Sequence, residues 1–148
     1  MEQNFTVTSS AETEQAGYNL ARTLFEKGIK RAFIALFGEM GVGKTAFCRG
    51  FASYFEIRSV KSPTYTVLNE YRGKVKIHHF DFYRITDGDD LYSIGFDDII
   101  EEDGYSLGEW SENIVDFLPQ DRIDVTISKL PSPSPKEENI RNIEIIFR

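Results

Sequence analysis

Apolar residues in this 148-residue chain recur at two periods, two and about four, and the switches between them outline alternating strands and helices. Phe5 and Val7 stand two apart and predict a short leading strand. Ser9 and Glu12 have the spacing of a capping box, and Ala16, Leu20 and Leu24, with Ala21 and Phe25, repeat at helical spacing behind it. Gly28 stands where a helix C-terminus is expected. Residues 31–37 form an apolar run predicted as a strand, and residues 44–55 a helix. Residues 65–71 and 75–82 read as two strands turned at Arg72-Gly73-Lys74. Residues 105–110 predict a short strand, and residues 111–118 a short helix capped by Ser111 and stopped by Pro119. Ile123, Val125 and Ile127, then Ile143, Ile145 and Phe147, alternate as half-exposed strands around the proline-rich run Pro131-Ser132-Pro133-Ser134-Pro135. Helices interleaved with strands, some of them in hairpins, predict an α/β fold: a three-layer αβα sandwich on a mixed sheet.

Between the second strand and its helix lies Gly38-Glu39-Met40-Gly41-Val42-Gly43-Lys44-Thr45, which fits G-x-x-x-x-G-K-[ST] in the strand–loop–helix setting that a P-loop requires. Glycines let successive backbone N–H groups turn into one anion-sized hollow, and the helix N-terminus adds partial positive charge beneath it. Lys44 then reaches the β- and γ-phosphates, and the Thr45 hydroxyl is placed to ligand Mg²⁺. The expectation is an αβα P-loop NTPase fold that binds a nucleoside triphosphate through residues 39–45.

Such a loop needs an acidic partner for the metal at the end of a nearby strand. Asp81 ends the run Val75-Lys76-Ile77-His78-His79-Phe80, and Glu109 ends Tyr105-Ser106-Leu107-Gly108. Both stand at the carboxyl ends of strands, where ligands gather in open α/β sheets, and both are expected in the site. Trp110 follows Glu109 and is either core or a wall of the pocket. His78 and His79 are adjacent, so alternation sends them to opposite strand faces; they are read as structural and not as a metal pair. Ser62-Pro63-Thr64-Tyr65-Thr66 follows the P-loop helix where switch segments sit in many P-loop enzymes, and it reads equally as an ordinary loop.

Composition narrows the partners. The chain is 41% hydrophobic and 28% charged, ordinary for one globular domain spanning residues 1–148. A net charge of −7 and a pI near 4.9 oppose a broad nucleic-acid-binding face. Residues 86–104 hold eight acidic residues and no basic one, with Leu91, Tyr92, Ile94, Phe96, Ile99 and Ile100 between them, and predict one or two short helices broken at Gly95. No apolar run reaches the length of a membrane span, the N-terminus lacks a signal pattern, and the one cysteine, Cys48, falls inside a predicted helix as a packing residue. A cytoplasmic protein without membrane contact is expected.

With these motifs in place the chain resembles the TsaE family, small P-loop ATPases of bacterial tRNA threonylcarbamoyladenosine biosynthesis. The likeness is carried by the P-loop, then Val60-Lys61-Ser62-Pro63-Thr64-Tyr65-Thr66, then His79-Phe80-Asp81-Phe82-Tyr83-Arg84, then Glu109-Trp110, in that order. The resemblance implies ATP as nucleotide, Mg²⁺ held by Thr45 and Glu109, and Asp81 near the γ-phosphate as a catalytic group with Lys44. It further implies a purine near Ser10, Ile140 and Glu144, and work with the TsaD–TsaB pair that modifies adenosine 37 of tRNA. In such a family the ATPase supports its partners' turnover; tight direct tRNA binding is not expected, and the chain alone is expected to be a monomer or weak oligomer.

Other readings are less well served by the residues. No N-K-x-D segment is present for guanine. A small-molecule kinase would clamp its phosphate with lid arginines, but residues 86–104 have none and only Arg84 lies close in sequence. A non-catalytic nucleotide-binding scaffold would have no use for Asp81 and Glu109. Asp81 is followed by Phe82 and not by a second acid, so slow intrinsic hydrolysis is expected.

Overall fold

Alternation along the strands sends side chains into two cores, one on each face of a single sheet. The computed structural model describes residues 2–62, 67–130 and 140–148. In chain order the elements are β1 (Glu2–Val7), α1 (Ser10–Glu26), β2 (Arg31–Phe37), α2 (Lys44–Ser53), β3 (Leu68–Arg72), β4 (Lys76–Asp81), α3 (Gly88–Ser93), α4 (Phe96–Ile100), β5 (Gly104–Glu109), a 3₁₀ segment Ser111–Phe117, β6 (Ile123–Lys129) and β7 (Arg141–Phe147). The seven strands lie in the order β1-β7-β6-β2-β5-β4-β3. Strands β6, β2, β5 and β4 run parallel at the centre; β3 pairs antiparallel with β4, β7 with β6 and β1 with β7, so the sheet is mixed as expected.

Ile34, Leu36, Ile77, Leu107, Val125 and Ile143 meet α1 and α2 on one face. Phe33, Ala35 and Phe80 meet Leu91 of α3, Phe96 of α4 and Ile114 of the 3₁₀ segment on the other. These are the three layers. Two glycines let α1 and α2 touch backbone to backbone: a Cβ on Gly50 would fall 1.8 Å from the Glu14 carbonyl oxygen, and one on Gly17 would fall 2.1 Å from that of Phe47.

Local signals set the ends of α1. Ser9 caps it by accepting the Glu12 N–H, and Glu12 reaches back one residue beyond the usual capping box, to the Thr8 N–H at 2.8 Å and hydroxyl at 2.6 Å. At the other end the Gly28 N–H bonds the Phe25 carbonyl and the Ile29 N–H bonds that of Leu24, a Schellman close with Gly28 at φ +72°. The acidic stretch forms two short helices divided at Gly95, φ +73°. The expected cap at Ser111 does not form; the Ser111 hydroxyl is buried and donates to the Gly108 carbonyl at 2.7 Å, while Trp110 makes the turn with φ +61°. Strand β6 is buried from Ile123 to Val125 and not half-exposed, because it lies between β2 and β7. The expected strand start at residues 65–66 and the proline-rich run lie outside the described residues. No helix among the described residues is long and apolar enough to cross a membrane.

Candidate functional site

The loop after β2 can pass so close to the sheet only as glycine. A Cβ at Gly38 would lie 2.4 Å from the Ile127 carbonyl oxygen, and Gly43 enters α2 at φ +117°. Val42 anchors the loop by burying its side chain in the α1–α2 core, which leaves only its backbone for a ligand. Met40, 67% exposed, stands at the rim. Lys44 opens α2 and turns back over the loop: its Nζ donates to the Gly38 carbonyl at 2.5 Å and sits 3.4 Å from the Trp110 ring centroid. Burial pushes the Lys44 ammonium below its usual pKa, opposed by Glu112, Glu109 and Asp81.

Strand order brings the acids in beside the loop. β5 lies against β2, so Glu109 ends the strand next to the P-loop strand, and Asp81 of β4 stands beside it in register. The Thr45 hydroxyl is 2.9 and 3.1 Å from the two Glu109 carboxylate oxygens. Asp81 accepts the Tyr83 N–H at 2.9 Å; burial raises its pKa, the Tyr83 bond opposes the rise, and the Glu109 charge adds to it.

Two histidines expected to be structural part ways. His78 faces Glu70 at 3.4 Å and Glu102 at 4.0 Å, away from the loop. His79, fully buried, places Nε2 2.5 Å from Glu109 Oε2, and its Nδ1 has no hydrogen-bond partner among the described residues. Reading His79 as a satisfied structural residue is therefore corrected: strand alternation puts it on the same face as Asp81, two residues on, and against Glu109. Cys48, buried beside them, has ligand-atom distances to His79 and Glu109 within 4.8 Å, and burial raises its thiol pKa well above the ordinary value. That agrees with a packing role and not a reactive one.

The turn after Glu109 ties the pieces together. Glu112 accepts the Gly38 N–H at 3.1 Å, and the Asn113 side-chain amide donates to the carbonyls of Phe82 and Tyr83 at 3.0 and 3.1 Å. Tyr83 packs on Trp110 with ring centroids 5.0 Å apart. A cleft of about 490 Å³ results, lined by Met40, Gly41, Gly43, Lys44 and Thr45 from the loop, Asp81 and Glu109 from the strand ends, and Trp110, so Trp110 is a wall. Ser62, at the edge of the segment 62–66, also lines it; residues 63–66 lie outside the described residues.

Arg49 and Tyr83 line the cleft as well and were not singled out from the sequence. Arg49 stands one helical turn beyond Thr45, a spacing that could have revealed it. Glu39, Ser10, Ile140 and Glu144 do not line this cleft. Ser10 begins α1, and Ile140 precedes β7, whose Arg141 pairs with Val7 at the same sheet end as the loop. Glu144 lies in β7 between Ile143 and Ile145, which face α1, so alternation turns its side chain to the opposite face.

The chain is similar to known proteins in sequence and in fold. A family model described as threonylcarbamoyl adenosine biosynthesis protein TsaE matches residues 7–137. A protein of Bacillus subtilis named tRNA threonylcarbamoyladenosine biosynthesis protein TsaE is 38% identical over 98 residues, covering 65% of this chain but only 61% of its own length. Proteins of the same name from Haemophilus influenzae and Rickettsia typhi are 38% and 34% identical, covering 79% and 90% of this chain and 71% and 94% of theirs. The crystal structure of YdiB from Bacillus subtilis superposes with a TM-score of 0.74 at 26% identity, covering 98% of this chain and 84% of that one. The likeness to YdiB supports an α/β P-loop NTPase-like fold, and the chain belongs to the TsaE family of threonylcarbamoyl adenosine biosynthesis proteins.

Proposed function

We propose that the chain binds Mg²⁺-ATP in the cleft, hydrolyses it slowly, and in the cytoplasm supports the TsaD–TsaB pair in threonylcarbamoylation of tRNA. The observation that carries this reading is the meeting of Thr45 and Glu109 at 2.9 Å beside Lys44. A hydroxyl and a carboxylate from adjoining elements form an all-oxygen pair of the kind a hard divalent cation takes. Thr45 and Glu109 would hold Mg²⁺, which when bound neutralises charge on the β- and γ-phosphates. The loop's backbone N–H groups and Lys44 hold the phosphates, which requires Lys44 to leave its contacts with Gly38 and Trp110. Asp81, beside Glu109 in the cleft, would orient a water toward the γ-phosphate.

Slow hydrolysis follows from an incomplete apparatus: Asp81 is followed by Phe82 and not by a second acid, the carboxylate beside it on the next strand, Glu109, is given to the metal, and Met40 at the rim is 67% exposed. A docked partner would cover that rim and exclude water, strengthening the electrostatics around the phosphates. The chain's net charge of −7 suits a protein-docked ATPase better than a direct tRNA binder. Calorimetry of this protein against purified TsaD–TsaB tests the role. Affinity should depend on whether ATP, ADP or no nucleotide is present, and ATP should bind the complex more tightly by the same factor. Equal affinity in all three states, or tight tRNA binding by the chain alone at physiological salt, would remove the proposed role.

A further inference from the structure

We propose that His79 is a positioning residue for the metal-side carboxylate: its Nε2–H holds Oε2 of Glu109, so that the carboxylate stays turned toward Thr45 and the cation. The inference rests on the Mg²⁺-nucleotide reading and adds to it a residue outside the cleft. Among the described residues Glu109 has two side-chain hydrogen-bond partners: the Thr45 hydroxyl, 2.9 and 3.1 Å from its two oxygens, and His79, 2.5 Å from Oε2. The Thr45 hydroxyl, shared almost equally between the two oxygens, leaves the carboxylate free to rotate about its last bond; a second donor fixed on Oε2 removes that freedom. Because Glu109 has no proton to give in its metal-binding form, the shared hydrogen is that of Nε2.

A purely structural role does not account for this ring. His79 is 0% exposed, and its Nδ1 finds no partner among the described residues, an arrangement that costs stability where an apolar side chain would not. Its neighbour His78 shows the contrast: it lies on the other face, against the carboxylates of Glu70 and Glu102, far from the loop. Groups that orient a metal ligand from behind commonly account for about 10–100-fold in metal affinity.

The test compares His79→Ala, His79→Asn and His79→Gln with the wild type, measuring calorimetrically the affinity for a non-hydrolysable ATP analogue as Mg²⁺ is varied, and again in EDTA. A glutamine amide reaches about as far from Cβ as histidine Nε2, whereas an asparagine amide reaches only as far as Nδ1. In EDTA the four proteins should bind the analogue alike, because the P-loop is untouched. The Mg²⁺ needed for half-maximal tightening should rise about 10–100-fold in His79→Ala and His79→Asn and return close to wild type in His79→Gln. If His79→Ala does not fold, the asparagine and glutamine variants, both polar and differing in reach, decide the matter. An unchanged Mg²⁺ requirement in His79→Ala or His79→Asn, or a glutamine variant as impaired as asparagine, would overturn the inference. A wild type whose affinity ignores Mg²⁺ would remove the nucleotide reading itself, and the inference with it.

Discussion

Thr45 and Glu109, 64 residues apart in the chain, meet through a hydroxyl that lies within hydrogen-bond distance of both carboxylate oxygens. The contact joins the first turn of α2 to the end of β5 and makes the only place in the cleft where a P-loop hydroxyl touches an acid among the described residues. It predicts that nucleotide binding and metal binding can be separated by substitution. Glu109→Gln keeps the volume and an acceptor for Thr45 but loses the charge. It should leave nucleotide affinity in EDTA unchanged and raise the Mg²⁺ requirement by at least a factor of about ten, since loss of even an outer partner typically costs about 10–100-fold. Titration of Mg²⁺ at fixed ATP reads the effect directly.

Lys44 lies against the ring of Trp110, the one tryptophan in the chain. An ammonium this close perturbs indole emission, and phosphate binding must draw it away. Intrinsic fluorescence should therefore change on adding ATP, and Lys44→Ala should shift the emission before any nucleotide is added and abolish the ATP response. Identical spectra for the two free proteins would contradict the packing of Lys44 on Trp110.

Asp81 predicts a trade between stability and function. Its folded-state pKa is raised, chiefly by burial, above the ordinary 3.8. The stability contributed by its protonated form is therefore complete below 3.8 and is lost as pH rises through the higher folded value, so at neutral pH the ionised group weakens the fold. Asp81→Asn keeps the acceptor for the Tyr83 N–H and removes the charge. It should raise the melting temperature at pH 7, with the gain shrinking as pH falls toward 3.8, while ATP hydrolysis is lost. Thermal melts across that pH range, beside turnover assays, measure both sides.

Much of this arrangement is legible in the sequence because local chemistry carries it. The P-loop strand and helix, the Ser9 cap, the Gly28 close and the break at Gly95 each depend on residues within a turn or two of one another. The convergence of Thr45, Asp81 and Glu109 does not: it needs the order β2-β5-β4, which hydrophobic periodicity leaves open. For the same reason Glu112, which reaches the Gly38 N–H from 74 residues away, gives no signal in the chain. Ser111 shows a local rule overridden. It has the residue type of a cap, but the tight turn at Trp110 buries its hydroxyl against Gly108 instead. His79 was within reach, two residues before Asp81 on one strand face; its partner on β5 was not.

The central claim, that Lys44 and its loop hold the phosphates of Mg²⁺-ATP, is tested most directly by calorimetric titration of ATP into the wild type and Lys44→Ala, each with Mg²⁺. A charge-assisted bond to phosphate contributes about 1.5–3 kcal/mol, so the wild type should show one saturable site and Lys44→Ala should bind roughly 10–150-fold more weakly. Equal affinity in the two proteins, or no saturable binding by the wild type, would contradict the account.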